Sequence, residues 1–179
     1  MKRTAKLTVC GVMGALSLVC LLLTVFPFAT YALPALASVF FMPVVIECGK
    51  RWALALYVAV SLLALLVVPD LEARLLFVFF FGYYPVFKSW AEGRPRPVEW
   101  ACKLGVFNIA VVAAYALLSA VGFSLSVFMI PGLAVSLAVM LLLFLLAGNL
   151  IFIMYDIGLS RMLPLYFSRL QPLWRRLFK

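Results

Sequence analysis

The sequence predicts an all-α integral membrane protein, a six-transmembrane-helix bundle with both termini cytoplasmic. Composition is the first reason. Of 179 residues, 68% are apolar and 12% charged, against roughly 45–50% and about 25% in soluble chains. One core of this size cannot hide so much apolar surface from water. The second reason is the recurrence of apolar runs between charged or turn-forming residues. The third is the placement of the basic residues.

The first expected span covers residues 7–26 and stops before Pro27. The second covers 31–46 and ends at Glu47-Cys48-Gly49-Lys50-Arg51. A third, 52–68, ends at Pro69-Asp70, and a fourth, 71–87, ends at Lys88. The fifth runs over 100–121 and the sixth over 131–155, followed by Asp156. Spans two to four are short for a hydrocarbon core of ~30 Å, so local thinning or burial among neighbours is expected of them. Between spans four and five, Gly93-Arg94-Pro95-Arg96-Pro97 predicts an extended path, because a residue before proline avoids the helical region. Residues 160–179 mix arginines with Leu, Tyr, Phe and Trp. They read either as an amphipathic segment on the inner leaflet or as a solvated tail.

Alternating the loops puts 14 of the 15 basic residues on one side and leaves Arg74 alone on the other. By the positive-inside rule the crowded side is cytoplasmic. The net charge of +9 is therefore a topology signal, and no nucleic-acid partner is expected. Met1–Lys6 resembles the start of a secretory signal. The apolar run after it is longer than a typical h-region, so a retained helix is expected.

The chain has no histidine. That removes Ser-His-Asp and Cys-His nucleophile systems and His-based metal sites. The four cysteines, Cys10, Cys20, Cys48 and Cys102, show no C-x-x-C pairing and read as reduced packing residues. No catalytic residue, metal site or cofactor is expected.

Polar side chains within spans are costly and therefore informative. Asn108, Tyr115 and Ser119 share one face of span five, interrupted by Val112. They read as interhelical contacts or as the lining of a cavity that opens outward. Asn149 and Asp156 share a face of span six and read as packing. Glu47 and Asp156 are expected to be neutralised by Lys50, Arg51 and Arg161, which are near in sequence. Outside, Asp70, Glu72 and Arg74 lie together. They form either an i,i+4 ion pair with a helix N-terminus or a polar rim that meets a ligand. The remaining external loops, around Phe28 and Phe128, are apolar enough to act as covers. On span one, Gly11 and Ala15 form a small-xxx-small pair beside Gly14. Small residues let helix backbones approach in lipid, within the bundle or against another membrane protein.

Short helices, cytoplasmic termini, a small-residue stripe on the first span and an outward polar stripe on a late one make the chain resemble the substrate-binding S components of energy-coupling factor (ECF) transporters of bacteria. In that family an A-x-x-x-A stripe on the first helix meets the coupling subunit; Gly11 and Ala15 stand in the matching place, with Gly for the first Ala. The resemblance covers the whole chain in architecture rather than through a diagnostic motif. It implies capture of a small, vitamin-like nutrient at the external face of the bacterial cytoplasmic membrane. The implied partners are a transmembrane coupling subunit and two ABC-type ATPases, since this chain has no phosphate-binding G-x-x-x-x-G-K-[ST] loop. The implied ligand contacts are Asn108, Tyr115, Ser119, Asp70, Glu72 and Arg74. The implied docking residues are Gly11, Gly14 and Ala15. The other reading is a non-transporting scaffold or assembly factor that docks other membrane proteins.

Overall fold

A computed structural model of the chain describes residues 3–26, 29–120 and 137–171. They are all-helical, with no strand among the described residues. Eight α-helices follow in order: α1 (Arg3–Leu22), α2 (Ala32–Val39), α3 (Phe41–Glu47), α4 (Lys50–Val67), α5 (Leu71–Leu76), α6 (Tyr84–Ala91), α7 (Arg96–Ala120) and α8 (Leu137–Leu165). Four stretches are long and apolar enough to cross a membrane: Arg3–Val25, Lys50–Val67, Arg96–Leu117 and Leu142–Ser168. The apolar loop around Phe128, the cover at Phe28, the start of span six and the end of the tail lie outside the described residues.

The expected second and fourth spans are each built from two short helices, and prolines explain both. Pro43 is the third residue of α3. Its ring would clash with the Val39 carbonyl and it supplies no N–H, so the helix breaks at Phe40. Together α2 and α3 cover Ala32–Glu47, about 24 Å of helix at 1.5 Å per residue. The turn into α4 needs Gly49, whose φ of 95° suits glycine alone.

In the fourth segment, α5 widens into a π-turn over Phe77–Phe81, closed by the Gly82 N–H on the Phe77 carbonyl at 2.8 Å. The Tyr57 hydroxyl donates to the Val78 carbonyl at 2.6 Å. Pro85 then restarts the chain in the first turn of α6, where its missing N–H is harmless. The extra residue of the π-turn lets Phe77, Phe80 and Tyr84 all face inward.

Two expectations fail at the far end of α6. The proline-rich stretch is not an extended path throughout: Gly93–Pro95 form a short turn after α6, and Arg96 and Pro97 already belong to α7. Pro97 falls in the first turn of α7, a position proline favours. Likewise α8 runs ten residues past Tyr155, so Asp156 lies inside a helix.

The apolar contacts form three clusters. Val9, Cys10 and Met13 of α1 pack with Val44, Ala53 and Val86. Leu21 packs with Ala37, Phe41, Ala64, Val68 and Phe77. The third is aromatic and joins α6 to α7 and α8. Phe80 sits at its centre, with ring centroids of Tyr84, Phe107 and Phe152 within 5.5 Å. Edge-on aromatic pairs contribute about 0.5–1.5 kcal/mol each beyond their buried area. Outside these seams the long helices present exposed apolar side chains such as Leu62, Leu66, Ile109, Leu150 and Met154, a surface compatible with a membrane.

Candidate functional site

Three groups of side chains stand out: the flank of α1, the polar rim at the Asp70 end of the bundle, and a buried charge cluster at the opposite end.

On α1 the small residues divide. Gly14 faces inward, and a Cβ there would lie 2.8 Å from Leu56 Cδ1 and 3.4 Å from Val60 Cγ2. It is an internal contact with α4. Gly11 and Ala15 are exposed, and a Cβ on Gly11 would meet nothing within 4 Å. Their flank is bordered by exposed Leu7, Val12, Leu16 and Val19. The result is a shallow, apolar seam on the outside of the bundle.

At the rim each charged group has a structural partner. Asp70 caps α5, accepting from the N–H groups of Glu72 (3.0 Å) and Ala73 (3.3 Å). Glu72 accepts from the Tyr31 hydroxyl at 3.1 Å. Arg74 turns back onto the end of α4 and donates to the carbonyls of Leu65 (3.1 Å) and Val68 (3.5 Å). The Leu65 carbonyl would ordinarily receive the N–H four residues on, and that residue is Pro69. Arg74 replaces the donor that proline lacks. The Asp70–Arg74 ion pair foreseen from spacing is not formed.

The face of α7 that reads as a polar stripe is mixed. Asn108 pairs with Asn149 of α8 through two reciprocal amide hydrogen bonds, each 3.0 Å. The second N–H of each amide returns to its own helix, at Leu104 (2.8 Å) and Leu145 (2.7 Å). Four donors are thereby satisfied, and the pair locks two antiparallel helices. Val112 is 57% exposed, while the buried seam of α7 runs instead through Lys103, Ala110 and Ala114. Ser119 is exposed and donates to the Ala116 carbonyl of its own helix. Tyr115 is half-buried, and its hydroxyl has no hydrogen-bond partner among the described residues. The structure thus does not gather the six expected ligand residues into one polar surface. Rim and stripe share an end of the bundle, and among the described residues there the Tyr115 hydroxyl and the Arg74 Nε have no hydrogen-bond partner.

A double-mutant cycle over Asn108→Ala and Asn149→Ala checks the lock. The expected coupling is about 0.6–1.7 kcal/mol, the range for interhelical hydrogen bonds in membranes, read from unfolding in detergent.

The charge cluster was not foreseen. Asp156 is 3% exposed, and Lys88 and Lys103 are each 1% exposed. Lys88 donates to Asp156 Oδ1, to the Asp156 carbonyl at 3.2 Å and to Ser160 Oγ at 2.8 Å. Lys103 donates to Asp156 Oδ2 at 3.0 Å and to Glu99 Oε1 at 2.6 Å. The Tyr84 hydroxyl donates to Asp156 Oδ1 at 2.5 Å. Glu92 completes the group, 2.9 Å from Lys88. The neutralisation expected from Arg161 is therefore supplied by two lysines distant in sequence. Lys50 and Arg51 do not pair with Glu47 either, which instead accepts from Tyr166 and Gln171 at 3.3 Å each. A sequence signal did exist: Tyr84–Lys88–Glu92, Glu99–Lys103 and Asp156–Ser160 are all spaced i,i+4.

The four cysteines are free thiols. Between α3 and α4, burial and the neighbouring Cys10 push the Cys48 thiol up to about 11, so it packs in its neutral form. No group of metal-ligating residues occurs among the described residues.

Compared with family models, with curated proteins and with solved structures, the chain matches none. What the fold defines is a helical protein with, among the described residues, four helices long and apolar enough to span a membrane.

Proposed function

We propose that this chain is a non-catalytic, multi-pass subunit of the bacterial cytoplasmic membrane that docks a second membrane protein along the exposed flank of α1. Its specific role, on this reading, is that of an ECF-type S component. It captures a small vitamin-like molecule externally, and a coupling subunit with two ATPases drives uptake. Six spans, two of them broken helices packed among neighbours, and two cytoplasmic termini complete the proposed topology. The observation that carries the reading is the division on α1: Gly14 is used inside the bundle, whereas Gly11 and Ala15 are left bare on its surface. Small residues at such a seam allow close backbone approach by a partner helix. Tyr115, whose hydroxyl has no hydrogen-bond partner among the described residues at the end opposite the basic face, is the side chain best placed for a ligand.

A second reading, the non-transporting scaffold, is favoured by the internal use of Asn108, Asp70, Glu72 and Arg74. Native mass spectrometry after gentle extraction from host membranes separates the two. Recovery of a coupling subunit with ATPases, or of a bound nutrient, supports the transporter. Recovery of an unrelated membrane complex supports the scaffold. In either case Gly11→Leu is expected to reduce partner recovery by about tenfold, a loss of about 1.4 kcal/mol, without lowering thermal stability. Undiminished recovery would remove the α1 seam as the docking face.

A further inference from the structure

The acids at the basic end of the bundle are all used inside it. Asp156, Glu99 and Glu92 surround the two buried lysines, and Glu47 holds Tyr166 and Gln171. Several exposed cations there, Arg51, Arg94, Arg96 and Arg161, have no ionic partner among the described residues.

Two of the exposed cations at this end are held in place. Arg94 lies over the Trp90 ring, 3.9 Å from its centroid. The stack fixes the guanidinium plane, and its N–H groups have no acceptor among the described residues. Lys50 reaches from the start of α4 to the Ser89 carbonyl at 3.3 Å, one residue from Trp90. The start of α4, the end of α6 and the turn that follows it thus bring an ammonium, an indole and an unfilled guanidinium fork together. A planar fork and a point charge together match a phosphate oxyanion.

The surroundings decide which phosphate. Trp90 is 44% exposed, and Leu54, one turn along α4 from Lys50, is also 44% exposed. One helical turn puts acyl-chain surface about 6 Å from the cation. A tryptophan at that level is a typical interfacial anchor. We propose that Lys50, Trp90 and Arg94 form a binding site for the phosphate of an anionic phospholipid of the adjoining leaflet. Each basic residue near an anionic surface contributes about 1 kcal/mol; here the stack and the fork add orientation.

The test is titration of short-chain phosphatidylglycerol and phosphatidylcholine into the detergent-solubilised full chain, read by native mass spectrometry. The wild type is expected to bind the anionic lipid about tenfold more tightly, the worth of one charge-assisted hydrogen bond. Lys50→Ala with Arg94→Ala is expected to erase that preference, while Arg161→Ala keeps it. Arg94→Lys retains the charge without the planar fork and is expected to lose part of the preference, and a thermal melt verifies that each variant is folded. Equal binding of both lipids by the wild type would overturn the site, as would a full preference in the double variant. Inorganic phosphate competing as well as the lipid at equal concentration would reassign it to a free anion. Displacement of the lipid by soluble polyglutamate would reassign it to an acidic protein. Either result overturns the lipid proposal.

Discussion

Asp156→Leu is expected to destabilise the protein by about 3–5 kcal/mol, the cost of leaving buried charges without their partner. The substitution removes the buried carboxylate that Lys88 and Lys103 share and leaves these two buried ammonium groups only the more exposed Glu92 and Glu99 at the cluster's edge. It also removes the acceptor of the Tyr84 hydroxyl, and with it the contact that ties α6, α7 and α8 at this end. The measurement is chemical or thermal unfolding in detergent. A triple variant, Asp156→Leu with Lys88→Met and Lys103→Met, distinguishes charge stranding from lost packing. Replacing a buried ionic group by apolar residues of similar volume is often neutral or stabilising. The triple variant is therefore expected to recover most of the loss. If it stays as unstable as the single variant, the cluster acts through shape rather than charge.

Gly82→Ala is expected to destabilise by about 1–3 kcal/mol, the usual range for overpacking. A Cβ at this position would lie 2.6 Å from Cδ2 and 2.7 Å from Cε2 of Tyr57, and 3.0 Å from Cε1 of Phe77. The Tyr57 ring cannot yield without breaking its hydrogen bond to the Val78 carbonyl, a carbonyl within the π-turn. Phe77, buried against Phe41, cannot yield either. Tyr57→Leu in the same chain opens the space, so the double variant is expected to be less destabilised than the two single losses added together. Simple additivity would show that the contact is not the cause.

The apolar long helices were legible because a helix long and apolar enough to cross a membrane leaves a signal in composition alone. Spans such as Lys50–Val67 and Arg96–Ala120 lie within a few residues of where hydropathy and punctuation put them. The breaks in segments two and four were less so. Pro43 and Pro85 stand where those segments are distorted, but a proline by itself does not show that the chain resumes as a helix beyond it. The fate of Asn108 was an open choice, because the side of a helix that meets a neighbour depends on rotation about its axis. Only the packed bundle sets that rotation.

The charge pairing illustrates the same limit. Lys88, Lys103 and Asp156 are 15 and 53 residues apart in sequence, and each has acidic or basic neighbours nearer in the chain. Proximity in sequence favoured Arg161 for Asp156; folding brought the lysines of α6 and α7 to it instead. By itself the sequence determined the all-helical class, the presence of helices long and apolar enough to cross a membrane, and the asymmetry of charge along the chain, since these follow from composition and local periodicity. The tertiary structure alone decided which glycine of α1 is buried and which is bare, which acids are consumed and which cations have no ionic partner among the described residues. Those outcomes depend on distances between helices, and no local pattern encodes them.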